Sequence, residues 1–430
     1  MDTLPAKIQA FLQKYLSSYM DILRRMVEIN SFTTNPQGIN QLGELTAQIF
    51  SSLGLQAEFV PSEFPSHGRH LFMRRKASES STSPTLSEVH IGEKQGKSLA
   101  LISHLDTVFP PEEEIQNDFK WRRIEDRIYG PGCVDIKGGT VMIYMILDAI
   151  RIYAPKVFDE VNWFICLNAS EEVLSDDFAS SCKEKLPTDT LACLVFEGGT
   201  PDPEACQIVV ARKGRATFQV HANGRSAHAG NYHRQGANAI LQIAHTIQEI
   251  QSFTDYDRRL TFNVGTISGG TVVNRVPHYA EASVEMRALT PDVFEAGYAR
   301  IMALNGSSRV SSEDGFPCRV SILPFERTAP WPLNPGTDRL YRVWSKTAAS
   351  LGVNTRAEER GGLSDGNLLW QSFPTLDALG PMGANAHCSE RSSDGNKDQE
   401  YVLVSSFVPK TLLNTMAILA LMDPTFPRNE

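Results

Sequence analysis

The seven cysteines include no CxxC pair and their number is odd, which argues against a disulfide framework. Cytosol is the compartment this predicts. No uninterrupted apolar stretch is long enough to cross a membrane, and no internal repeat recurs. Positive charge is also short. Against 50 Asp and Glu stand 41 Lys and Arg, a net −9 that favours solubility and gives no basic footprint for nucleic acid. A serine hydrolase would need a GxSxG elbow between a strand and a helix, and none is read in that setting. The N-terminus does not read as a secretion signal. From Ile8 the apolar residues recur at Phe11, Leu12, Tyr15, Leu16, Tyr19, Leu23, Met26 and Val27, with lysines and arginines between, which is the spacing of a surface-packed helix.

What is present is an ordinary globular composition, 41% hydrophobic, spread over 430 residues. That length exceeds one core, so two domains are expected. Residues 37–53 read as a second helix stopped at Gly54, a favourable residue just past a helix end. Residues 77–87 (ASESSTSPTLS) are small, polar and proline-interrupted, and read as a mobile loop. The runs 98–103 (SLALIS), 161–168 (VNWFICLN) and 191–196 (LACLVF) are continuous apolar segments, as in strands buried on both faces. Cys166 and Cys193 sit inside such runs as small core residues. A helix over 138–153 lies between the first two runs and ends before Pro155. This alternation predicts an α/β fold, a mostly parallel sheet flanked by helices.

Near Lys213 the pattern changes. Ala216, Phe218, Val220 and Ala222 alternate with polar residues, as do 260–264 and 280–286, which marks strands with one solvated face. Helices are read over 236–250 and 291–304, and a strand over 319–323. The order β-α-β-β-α-β across 213–325 predicts an inserted ferredoxin-like α+β domain. The chain then returns with a helix over 337–351, a strand over 375–379 and a last helix over 408–421. The expected division is 1–212, an inserted 213–326, and 327–430.

Chemistry concentrates where the apolar runs end. His104 and Asp106 follow the first run, and a carboxylate two residues from an imidazole can orient it and raise its basicity. Asp135 lies in a glycine-dense loop, Tyr129-Gly-Pro-Gly-Cys-Val-Asp-Ile-Lys-Gly-Gly139, that opens a helix. It reads either as a helix cap or as a carboxylate held rigidly enough to bridge two cations. Glu171 and Glu172 follow the second run. Adjacent glutamates are usually a solvated pair, but at the mouth of a buried strand two like charges need a cation or a shared proton. One would then bind metal and the other take a proton from water. Glu197 ends the third run, and His387 lies in Gly383-Ala-Asn-Ala-His-Cys-Ser-Glu390 after the last strand. Each alone has a bland structural reading; five loops of ligand-competent residues together read as a metal hydrolase site.

Taken together, HLDTV, GPGCVDIKGG, SEEV, FEGG and AHCSE resemble the co-catalytic di-zinc metallopeptidases that include glutamate carboxypeptidase, acetylornithine deacetylase, succinyl-diaminopimelate desuccinylase and aminoacylase-1. The resemblance covers nearly the whole chain. It implies a zinc-peptidase-like catalytic domain and an inserted lid that mediates homodimerisation. It also implies two Zn2+ per subunit, with Asp135 bridging them, His104 and Glu197 completing one site, and Glu172 and His387 the other. Cobalt or manganese would suit the same donors. Glu171 would be the general base and Asp106 the partner of His104. In the lid, His228 of Arg225-Ser-Ala-His-Ala-Gly230 would reach the partner subunit's active site and stabilise an oxyanion. Asn274 and Arg287 would hold a substrate carboxylate. Gly362, in Arg360-Gly361-Gly362 with Ser364-Asp365 beyond, would line the same pocket.

Two departures stand out. Family members usually carry an aspartate before the glutamate pair and a glycine soon after, where this chain has Ser170 and Leu174. The expected activity is hydrolysis of an amide or peptide bond next to a free carboxylate in a small-molecule substrate, of glutamate-carboxypeptidase type. Glutamate at position 197 favours carboxypeptidases and deacylases, since aminopeptidases and dipeptidases typically have aspartate there. The alternatives are an aminoacylase, deacetylase or desuccinylase and, from another class, a non-catalytic zinc-binding dimeric protein. No nucleic-acid or membrane partner is expected.

Overall fold

The computed structural model describes residues 3–77, 96–173 and 175–423. Of the loop expected over 77–87 only Ala77 is among them, and Leu174 also lies outside the described residues. The chain divides into two compact units. One runs up to Val210, then Asn334–Glu358, then from Ser364 onward; the other is Ala211–Leu333 with Glu359–Leu363.

The first unit is built on a six-stranded sheet. Strand Ser98–His104 is buried at every position and runs parallel to Asn162–Asn168 on one side and Cys193–Val195 on the other. Thr375–Leu376 extends the parallel part, while Arg69–Arg75 and Gln56–Pro61 add an antiparallel edge. Helix Gly138–Tyr153 begins with three small residues and then turns almost wholly apolar. Val141, Ile143, Ile146 and Ile150 are all fully buried, each contributing roughly 1.5–3 kcal/mol as an upper estimate. Helix Pro36–Ser51 starts where Asn35 accepts a hydrogen bond from the Gly38 N–H and Pro36 fixes the first turn. Just past it, Gly54 has φ +76°, the left-handed conformation a glycine adopts without strain.

Helix Val404–Met422 is long and apolar enough, by length and composition, to cross a membrane, the one such helix among the described residues. It is nonetheless mostly buried in this unit. Lys410 donates to the Ala378 carbonyl at 2.8 Å, and Asn414 accepts from Trp344 and donates to the Leu379 carbonyl. A core helix with paired polar groups explains its composition.

The second unit is a four-stranded antiparallel sheet in the order Thr261–Gly269, Tyr279–Ala288, Gly214–Asn223, Arg319–Thr328. Helices Ala239–Gln251 and Pro291–Met302 accompany it. The two central strands alternate buried and half-exposed residues along their length, so one face carries the core. The breaks differ from the expected 212/213 and 326/327. Strand Arg319–Thr328 runs past 323, and Trp331 and Arg212 exchange backbone hydrogen bonds, which keeps the segment before Asn334 in this unit. Residues 359–363 join it because Arg212 donates to the Gly362 and Leu363 carbonyls and the Lys213 N–H donates to Arg360.

Candidate active site

Three parallel strands end side by side. His104 closes its strand opposite Asn168, and Val195 lies opposite Ile102. The residues that follow, Asp106, Glu171 with Glu172, and Glu197, therefore emerge along one edge of the sheet, where open α/β sheets bind ligands. Helix Gly138–Tyr153 approaches that edge closely. A Cβ on Gly139 would lie 2.1 Å from the Phe196 carbonyl oxygen, so only glycine fits.

The other ligand-competent residues come from a small second sheet, Gly383–Ala384, Tyr401–Leu403, Arg127–Tyr129 and Arg122–Ile124. Strand Arg127–Tyr129 leads into the glycine-rich loop and Asp135, and Gly383–Ala384 leads into His387. Tyr401 pairs with both Tyr129 and Ala384, so one ladder aims both loops. Gly132 takes φ +72° in the turn before Asp135, whose peptide bond to Ile136 is cis. Buried Glu400 was not foreseen. Its Oε1 accepts from the Val134 and Asp135 N–H groups at 2.9 and 3.3 Å, and it carries no local sequence signal.

The result is a compact constellation. His104 Nε2 lies 3.1 Å from Asp135 Oδ1, and His387 Nε2 lies 3.2 Å from Asp135 Oδ2. Each oxygen of one carboxylate thus faces a different imidazole. His387 Nε2 is also 3.1 Å from Glu172 Oε2, and His104 Nε2 is 3.8 Å from Glu197 Oε1 and 3.9 Å from Glu171 Oε2. Two overlapping groups, His104–Asp135–Glu172 and His104–Glu171–Glu197, each bring their donor atoms within 4.8 Å of one another. Two donors about 2.0–2.2 Å from one tetrahedral zinc are roughly 3.3 Å apart, and the 3.1–3.2 Å pairs around Asp135 and His387 fit that spacing. The donor set, imidazole with carboxylate, fits the same chemistry.

Asp106 does more than orient His104. The His104 Nδ1 bonds the Asp106 backbone carbonyl at 3.0 Å, closer than the carboxylate at 3.4 Å. The carboxylate itself accepts from the Glu171 and Glu172 N–H groups and from the Thr33 hydroxyl. It holds the glutamate loop against the histidine.

Comparison with known proteins bears on this arrangement. Residues 210–305 match the peptidase dimerisation domain of the M20 group. Carboxypeptidase G2 of Pseudomonas sp. strain RS-16 is 24% identical over 333 residues, covering 76% of this chain and 74% of that protein. The chain spans 60% of the probable carboxypeptidase of Arthroderma gypseum, which is also 24% identical. Aminopeptidase PepT of Bacillus cereus has the same fold, with a TM-score of 0.73 at 18% identity over 95% of this chain and 99% of that one. So does the YXEP protein of Bacillus subtilis, described as a dinuclear metal binding peptidase from the M20 family, with a TM-score of 0.66 at 12% identity over 95% and 99%.

These likenesses in sequence and fold support the M20 peptidase family. The relatives support a metal-binding hydrolase, and the dimerisation domain over residues 210–305 suggests dimer formation.

Electrostatics of this site favour bound cations. Burial is the first cause pushing Glu172 up to about 7, followed by the charge of Asp135. Burial and then Asp135 likewise push Glu400 up to about 8. Glu171 is raised well above the usual carboxylate range, by burial and by Glu197, Asp365 and Glu172 against the lowering effect of His104. Burial would also raise Asp135, but hydrogen bonds and charge from the two histidines hold it below its ordinary range. Hydrogen bonds to Asp135 and Glu172 lift His387 to about 11. Burial pulls His104 down, yet Asp106, Asp135 and the nearby glutamates raise it overall.

A pH prediction follows from these signs. In metal-free protein, a group with a raised folded pKa stabilises the fold fully below its ordinary value and loses that contribution as pH climbs through the folded one. Glu172 does so between 4.5 and about 7, and His387 between 6.5 and about 11. Bound cations would replace these protons. The gap in Tm between metal-loaded and EDTA-treated protein should therefore widen from about pH 5.5 to about pH 8.5. A constant or narrowing gap in a thermal-shift series would contradict it.

In the second unit, His228 lies on a small ladder, Ala227–His228 against Arg275–Val276, and Asn274 just precedes it, its carbonyl accepting from the Ala229 N–H. Arg287 is already engaged. It pairs with Glu285 through Nε and Nη2 and donates from Nη1 to the Gly361 carbonyl, next to Gly362. A carboxylate arriving at Arg287 would compete with Glu285. One pentapeptide, Gly362-Leu-Ser-Asp-Gly366, does match GxSxG between strand Thr355–Arg360 and helix Gly366–Leu369, contrary to the sequence expectation. Ser364 is fully buried there; its hydroxyl donates to Asp377 and accepts from the Gly366 N–H, so it is no nucleophile.

Proposed function

We propose that this M20 hydrolase uses zinc to cleave an amide or peptide bond next to a free carboxylate, as a carboxypeptidase of glutamate type. The observation that carries the reading is the Asp135 carboxylate, with one oxygen toward His104 and the other toward His387. That placement is what a carboxylate shared between two cations requires. His104 and Glu197 would hold one cation, Glu172 and His387 the other. Bound zinc supplies Lewis acidity toward water and the scissile carbonyl.

The chain's own groups complete the reaction. Glu171 accepts the water proton as the new C–O bond forms, then delivers it to the amine nitrogen as the C–N bond breaks, a role commonly worth about 10²–10⁴-fold. Its raised basicity suits a base that must hold a proton between the two steps. The name carboxypeptidase G2, borne by a relative, and glutamate at position 197 support the carboxypeptidase reading. An aminoacylase or deacetylase would use the same machinery with a different acyl pocket, and relatives include an acetylornithine deacetylase of Yersinia pseudotuberculosis. A silent zinc-binding protein is disfavoured because Glu171 and every candidate ligand are retained. We further propose a homodimer formed through the lid, with His228 acting on substrate in the partner subunit.

A colourimetric screen of N-acyl amino acids and dipeptides, with zinc added, tests the activity. Release of a carboxylate-bearing amino acid is the expected result, from protein whose solution mass is that of a dimer. No turnover on any carboxylate-terminated amide would overturn the reading.

A further inference from the structure

The loop that carries Glu171 and Glu172 has four consecutive backbone N–H groups, and each donates to a side chain. Glu171 and Glu172 donate to Asp106, and Ser170 to the Asn168 Oδ1. The fourth anchor is His70, whose Nδ1 accepts from the Ala169 N–H at 3.0 Å. His70 is fully buried. It sits on strand Arg69–Arg75, which runs antiparallel to Asn162–Asn168 and so brings its second residue beside the start of this loop.

The ring is fixed from both sides. Its Nε2 lies 3.1 Å from Asp177 Oδ2, and the same oxygen accepts from the Ser62 hydroxyl and the Glu63 N–H, both at 2.8 Å. Asp177 Oδ1 accepts from the Phe178 N–H at 2.9 Å. A carboxylate only accepts, so Nε2 must carry the hydrogen; a backbone N–H only donates, so Nδ1 must be bare. Both neighbours demand one tautomer. Asp177 is itself held by three further hydrogen bonds, so the acceptor presented to Ala169 has little freedom.

We propose that His70 is a positioning residue for the general base, fixing the height of the Glu171 carboxylate through the Ala169 N–H. It touches no reacting group and acts through two residues of backbone. This rests on the base role of Glu171 given above. A small displacement of a reacting group, of the order of 1 Å, costs up to about 10²-fold in rate.

Two substitutions separate the two nitrogens. In His70→Asn the amide oxygen takes the place of Nδ1 and still accepts from Ala169, without reaching Asp177. In His70→Gln the amide nitrogen takes the place of Nε2 and donates to Asp177, while the Ala169 N–H loses its acceptor. With an N-acyl-glutamate as probe, His70→Gln should lower kcat by roughly 10–100-fold with KM and metal content unchanged, and His70→Asn should recover to within about 3-fold of the parent. Equal losses in the two variants, or losses tracking metal content, would overturn the proposal. Should His70→Gln fail to fold, Asp177→Asn is the second handle. It keeps the volume but weakens the fixing of Nε2–H, and kcat should fall roughly 3–10-fold; unchanged kcat in folded protein overturns the proposal. Glu171→Gln in the same assay keeps the two failures apart. If it stays active, the base role is wrong; if it is inactive while His70→Gln is not, only the role of His70 is.

Discussion

Glu171→Gln lowers kcat by roughly 10²–10⁴-fold while the protein keeps its metal. The side chain is nearly the same size, so the buried loop closes as before, with its N–H groups still on Asp106. The amide cannot take up a proton, however, and the step from water to leaving amine loses its carrier. His387 touches both Asp135 and Glu172, whereas Glu171 comes no nearer than 3.9 Å to the His104 imidazole. Metal analysis beside single-turnover rates measures both quantities. A variant that loses its cations in proportion to its activity would show that Glu171 is a ligand, and a variant at parental rate would remove it from the chemistry.

Asp135→Asn should fail in the opposite way, by losing the cations first. Neutralising this carboxylate removes the one group both imidazoles share, and turns one of its two acceptors into a donor aimed at a ring nitrogen. Buried ions cost several kcal/mol each unless paired, and the remaining glutamates would relieve that cost by taking up protons. Metal content should fall by half or more. Activity should drop by more than the roughly 10–100-fold that follows loss of a supporting hydrogen-bond partner. Elemental analysis after gel filtration gives the first number and the hydrolytic assay the second. Full metal content with parental activity would mean that no carboxylate is shared at this position.

Sequence reasoning reached the parts of this site that local rules encode. The continuous apolar runs before His104, Glu171 and Glu197 mark buried strands, and the glycines around Asp135 mark a tight loop before a helix. The helix over 138–153 was legible in full because a helical run of apolar residues is bounded by glycines and a proline. The partners at long range were not. Nothing around Glu400 announces that it holds the Asp135 loop, since its contacts depend on a ladder between segments far apart in the chain. His70 and Asp177 look like a strand residue and a surface acid until strand Arg69–Arg75 is placed beside Asn162–Asn168. The GxSxG pentapeptide shows the reverse failure. The pattern is local and present, but burial of Ser364 deprives it of chemistry.

The two imidazoles that flank Asp135 differ in one respect that shapes how the centre is filled. The His104 side chain is sealed at 1% exposure, while that of His387 is open at 53%. The centre thus has a dry half and a wet half, and a cation arriving from bulk water meets His387 first. If a cation pair binds here, a chelator should strip the His387 side first and the sealed half should be the last to empty.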